Sequence, residues 1–121
     1  MDSLTMLRTA VALFAIAAAG GLVMAGIRFT RHVNPPAWLA MLHGLLAASG
    51  LTLVGFAACA AGVPSVAKIG FVLLLVAAAG GALLNLNYQW KQRLLPGSIV
   101  AVHATTAVVG FGCLVVAAFA G

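Results

Sequence analysis

Four runs of uncharged, mostly apolar residues, at about 9–27, 36–61, 69–86 and 96–120, dominate this chain of 121 residues. Such runs outlast any strand and match the hydrocarbon of a bilayer, which about 20 residues of helix will cross. In lipid the backbone must satisfy its own hydrogen bonds, and a helix does so internally. Four spans consume about 80 residues, most of the chain. Only 6% of the residues are charged, against about 25% in soluble domains. Pro36 and Pro96 stand where the second and fourth helices would begin, a position at which a missing N–H costs little. The expected fold is an all-α membrane protein, a four-transmembrane-helix bundle forming one domain over 1–121 and bathed in membrane lipid.

The same composition excludes much chemistry. Asp2 is the single acidic residue, so there is no carboxylate pair for acid–base work, no Ser-His-Asp triad and no oxygen cage for calcium or magnesium. Proton-coupled transport through an intramembrane carboxylate is excluded on the same ground. The net charge of +5 comes from basic residues dispersed along helix ends, which is not the clustered face that nucleic acid requires. Cys59 and Cys113 form no CxxC pair and there is no CxxCH. A zinc ribbon, a thioredoxin-type site and covalent c-type haem are therefore not expected, and the two thiols read as small core residues.

Sliding the chain against itself by 60 residues aligns 8–61 with 68–121 without a gap, giving 13 identities in 54 pairs. The informative identities keep their order. The segment Ala17-Ala18-Ala19-Gly20-Gly21 meets Ala77-Ala78-Ala79-Gly80-Gly81, Pro36 meets Pro96, His43 meets His103 and Gly50 meets Gly110. Each half reads AAAGG-x14-P-x6-H-x6-G, a shared spacing that points to a two-helix unit used twice. Two helices per unit bring both units into the membrane in the same direction. The expectation is a tandem, parallel repeat with a pseudo-two-fold axis along the membrane normal. Such an axis preserves depth, so His43 and His103 should lie level.

The first apolar run follows Arg8 and contains small residues, as a secretory signal would. Its match to the third run argues for a permanent helix. Arg28, Arg31, Lys91 and Arg93 lie on the connections joining helices one to two and three to four, against Arg8 and Lys68 on the other side. By the positive-inside rule those basic loops face the cytoplasm and both termini lie outside, on the periplasmic side of a bacterial inner membrane.

A histidine seven residues inside a helix lies about 10 Å below its start, where an unpaired polar group costs about 1–3 kcal/mol. With no acid available and few hydroxyls beyond Thr105 and Thr106 nearby, the counterpart of His43 is His103. Two neutral imidazoles facing each other across a two-fold axis suit iron at the centre of a planar macrocycle, which takes axial ligands from opposite sides. A lone zinc or copper ion would want more ligands than this level offers. Gly50 and Gly110 share a helix face with the histidines and would leave room for a flat ring. The pairs Gly20-Gly21 and Gly80-Gly81 should reach the histidine level, because Gly21 precedes Arg28 by seven residues. Arg28, Arg31, Lys91 and Arg93 would anchor haem propionates by charge-assisted hydrogen bonds.

Blander readings stand beside each of these. Membrane histidines also bond across helices or donate to backbone carbonyls, AAAGG also serves tight helix packing, and basic loops also follow from topology alone. Trp38, Trp90 and Tyr88 read as interfacial anchors. His32, which meets Gln92 in the repeat, reads as a loop residue, and Asn85 and Asn87 read either as helix-end groups or as cofactor or quinone contacts.

A four-helix bundle with one histidine on each of two related helices resembles the b-type cytochrome subunits that anchor bacterial dehydrogenases. It is also similar to a pared-down form of wider four-helix di-haem cytochromes. The resemblance covers most of the chain in architecture and rests on a loose motif, a histidine pair with small residues. With one intramembrane pair it implies one haem b, with His43 and His103 as axial ligands. It also implies electron transport within or beside a respiratory complex, as a subunit rather than a stand-alone enzyme. A single site nearer one face does not bridge the bilayer, so a quinone or a redox partner subunit is expected. Three alternatives stay open: a chlorophyll-type pigment, a cofactor-free transporter or channel using the histidines, and a structural accessory subunit of a larger membrane complex.

Overall fold

The computed structural model describes residues 1–120, so the expected second unit, 68–121, extends one residue beyond what is described. The described chain is four helices and no strand. They are α1 (Ser3–Arg31), α2 (Ala37–Phe56), α3 (Ser65–Leu84) and α4 (Gly97–Phe119), with α2 continuing into a π-helical turn, Ala57–Ala61, and α3 into another, Asn85–Gln89. Counted with those turns, the helices have 29, 25, 25 and 23 residues, and all four are long and apolar enough to cross a membrane. At 1.5 Å per residue they run about 35–44 Å, against about 30 Å of hydrocarbon.

The first and third helices overrun their apolar stretches because hydropathy marks the lipid-immersed part, while caps decide where a helix stops. Asp2 caps α1, its carboxylate accepting from the Thr5 N–H at 2.7 Å, and this bond holds the Asp2 carboxyl below the usual carboxylate range. At the other end Arg28 and Arg31 occupy the last turn, where cations complement the helix dipole. His32 then ends α1 in the left-handed region at φ 55°, and Gln92 takes the same conformation, φ 53°, after the third helix.

The most extensive contacts join α1 to α2 and α3 to α4, followed by α1 to α4 and α2 to α3. The helices therefore follow one another around the bundle, with α2 and α4 at opposite corners. One end carries both longer connections, tied together by Asn34 and Arg93. The other carries the termini, where Arg8 Nε donates to the Ala118 carbonyl at 3.3 Å.

The core falls into two buried clusters. The larger, at the terminal end, gathers Leu7, Ala10, Phe14, Val54, Ala67, Leu74 and Leu114 among others. A smaller one at the connection end contains Leu84, Leu95 and Val100, with Ala25, Tyr88 and Ile99 packed on it. Along α1, α3 and α4 the segments holding Gly20-Gly21, Gly80-Gly81 and His103 fall between these clusters. Large apolar side chains elsewhere are exposed, Leu22, Met41, Leu45, Val72, Val102 and Val108 among them, as suits helices whose outer faces meet lipid rather than water.

Candidate functional site

His43 and His103 stand on α2 and α4, each seven residues after the proline that opens its helix. The His43 Nδ1–H donates to the Ala17 carbonyl on α1 at 2.7 Å. The His103 Nδ1–H donates to the Ala77 carbonyl on α3, also at 2.7 Å. A carbonyl only accepts, so Nδ1 carries a proton in each ring, and in the neutral form of such a ring the lone pair is on Nε2. The ring centroids are 6.1 Å apart and the planes cross at 71°. Both side chains are half-buried. The bond to a carbonyl, one of the bland alternatives, is thus present, and it occupies only one nitrogen of each ring.

The glycine pairs divide their work. A Cβ placed on Gly21 would sit 3.1 Å from His43 Cε1, and one on Gly81 3.0 Å from His103 Cε1. A Cβ on Gly80 would be at ordinary contact distance from His103, 3.8 Å, while one on Gly20 would meet Leu39 at 3.9 Å. Gly21 and Gly81 therefore admit the imidazoles themselves. Gly50 and Gly110, expected to leave room for a flat ring, lie against neighbouring helices. The edge of Phe14 fills the space over Gly50, 2.7 Å from where a Cβ would be. A Cβ placed on Gly110 would sit 2.9 Å from Leu74 and 3.1 Å from the Gly70 carbonyl, and one on Gly70 would sit 2.9 Å from the Gly110 carbonyl. That reciprocal approach is what small residues permit between membrane helices.

The four basic residues expected to meet propionates gather at the connection end. Arg28 is half-buried, and its Nε donates to the Leu95 carbonyl at 2.6 Å. Arg93 lays its guanidinium over the Tyr88 ring at 5.5 Å, while Arg31 and Lys91 are exposed. Asn34 grips the second connection with both ends of its amide: Nδ2 donates to the Arg93 carbonyl at 2.7 Å, and Oδ1 accepts from the Leu95 N–H at 2.9 Å. Gln89 Nε2 donates to the Pro35 carbonyl at 2.7 Å, leaving its Oε1 buried without a partner. Trp38 and Trp90 are exposed near this end, and Asn85 and Asn87 lie exposed on the π-helical turn after α3.

Sequence reasoning placed the histidines and missed two kinds of partner. The Ala17 and Ala77 carbonyls carry no side-chain signal, although alanine four residues before glycine, opposite a histidine, marks an uncovered carbonyl. The Asn34 clamp depends on which connections meet in space. Among the described residues no three His, Cys, Asp or Glu side chains gather closely enough to hold a metal ion. The arrangement brings together two imidazoles, each with one nitrogen outside its hydrogen bond to a carbonyl. Compared with protein-family models, curated proteins and solved structures, the chain matches none.

Proposed function

We propose that this chain is a membrane b-type cytochrome carrying one haem between His43 and His103, and that it passes electrons within or beside a respiratory complex. The observation that carries the reading is the spacing of the two rings. Imidazoles bound on opposite sides of one metal, with bonds of about 2.0–2.1 Å, have ring centres about 6 Å apart, and the rings here are 6.1 Å apart. The bonds to Ala17 and Ala77 add to it, because a ligating histidine commonly donates its other N–H to a carbonyl, which fixes its tautomer and orientation.

In this reading His43 and His103 bind through Nε2. The two carbonyls hold the rings in place, and the surrounding helices keep water from the site. Arg28, Arg31, Lys91 and Arg93 pair with the propionates at the connection end. Haem supplies the reversible one-electron couple, which burial and charge pairing tune. A quinone or a partner subunit completes the route across the bilayer, and the chain is a component of a larger membrane assembly.

The architecture fits a two-helix unit used twice, 8–61 and 68–121, about an approximate two-fold axis along the membrane normal. In its favour, the histidine bonds recur 60 residues apart with equal lengths. The succession of exposed, half-buried and buried residues is also the same over 41–50 and 101–110. The basic connections face the cytoplasm and the termini lie outside, in a bacterial inner membrane.

The test is a visible spectrum of the detergent-purified chain expressed with haem available. A sharp Soret band, split low-spin bands on reduction and one haem per chain are expected. A colourless sample would leave a transporter or an accessory subunit, and a chlorin spectrum would mean a chlorophyll-type pigment. Either result overturns the cytochrome.

A further inference from the structure

In an α-helix the carbonyl of residue i accepts from the N–H of residue i+4, and each side chain leans back over the turn on its N-terminal side. The Cβ of residue i+4 therefore shields the carbonyl of residue i from any third group approaching along that face. Ala17 and Gly21 are such a pair on α1, and Ala77 and Gly81 are such a pair on α3. In both, the imidazole from the neighbouring helix reaches the alanine carbonyl at 2.7 Å. In both, the ring passes where the glycine lacks a side chain, with Cε1 only 3.0–3.1 Å from the site of an absent Cβ. Cε1 lies between Nδ1 and Nε2, so pressure at that atom tilts the whole ring about its hydrogen bond.

We infer that Gly21 and Gly81 are positioning residues. Each opens a port onto a carbonyl already engaged in its own helix, and that carbonyl selects the Nδ1–H tautomer of the facing histidine. The ports act through the imidazoles rather than on any bound group. They decide which nitrogen is presented to the space between the rings and set the 71° crossing of the ring planes. The consequence for ligation rests on the cytochrome reading; the tautomer assignment does not.

Nitrogen-15 NMR of the detergent-solubilised chain, labelled at histidine, reads the tautomer with or without a cofactor. Nδ1–H forms are expected for His43 and His103, and Nε2–H forms for either would overturn the inference. Gly21→Ala and Gly81→Ala should weaken that Nδ1–H signature and the corresponding Val variants should abolish it, each at its own histidine only. Gly26→Ala and Gly112→Ala, at glycines with nothing within 4 Å, should leave both rings unchanged. If the chain carries haem, the ferric electron paramagnetic resonance signal of crossed ring planes should shift in the Gly21 and Gly81 variants and not in the Gly26 and Gly112 variants. A Gly81→Val chain with wild-type tautomers would sink the port. A colourless wild-type chain that keeps both Nδ1–H forms would sink the cytochrome and leave the port standing.

Discussion

The histidine layer and the connection end of the bundle are built on opposite plans. In the layer three features occur twice: a histidine, a carbonyl at 2.7 Å and a glycine against Cε1, each 60 residues from its counterpart. At the connection end His32 and Gln92 share a backbone conformation, but the side-chain bonds are not returned. Asn34 grips the backbone at Arg93 and Leu95, while Leu94, which holds the equivalent place in the sequence, makes no such bond in exchange. Arg28 donates to Leu95, and its counterpart is Tyr88. Of the buried side-chain polar atoms among the described residues, the Gln89 Oε1 at the connection end is left without a partner. Matched geometry is what a symmetric ligand needs. Unmatched geometry is sufficient where the task is to hold two loops in register.

If that division is right, substitutions in the layer should change the spectrum and those at the connections should change stability. The largest effect is expected from His43→Ala and His103→Ala. Each should lower haem content about 10-fold or more, by similar amounts, with the helical circular dichroism retained. Haem per chain is the measurement, and a large inequality between the two variants would break the matched layer. Next comes Asn34→Ala, which leaves the buried Leu95 N–H without its acceptor. It should cost about 1–3 kcal/mol, read as earlier thermal unfolding with unshifted absorption bands. Shifted bands would mean that the clamp and the layer are not separate devices.

The smallest effect belongs to Asp2, remote from both regions and fully exposed. Its carboxyl titrates below the usual range because the Thr5 N–H bonds the charged form. A lowered folded-state value means that the cap contributes above the unfolded value of about 3.9. The contribution is then lost as pH falls through the lower, folded-state value. The protection of the Thr5 amide, its exchange measured against the intrinsic rate at the same pH, should therefore fall in that acid window, and Asp2→Asn should remove that fall.

Much of the molecule was legible in the sequence. Apolar length located four helices, and the recurrence of Pro36-x6-His43 and Pro96-x6-His103 placed the histidines on α2 and α4. The proline that caps each helix start made the spacing a depth. Legibility ended at azimuth. Gly20 and Gly21 are equivalent in the sequence, yet about 100° of helix rotation separates neighbouring residues, so one meets Leu39 and the other His43. Gly50 shares a face with His43 and is covered by Phe14, a residue that no local pattern links to it.

Partition into lipid is settled segment by segment, because each stretch of about 20 residues gains or loses free energy on its own account. The number of membrane-length helices, the helical class and the place of each histidine along its helix were therefore set by the chain's own order. Which carbonyl each imidazole bonds, which glycine admits it, and which loop Asn34 grips were decided only by tertiary packing. A hydrogen bond or a close contact across helices depends on two rotations and a separation, and no one segment carries all three.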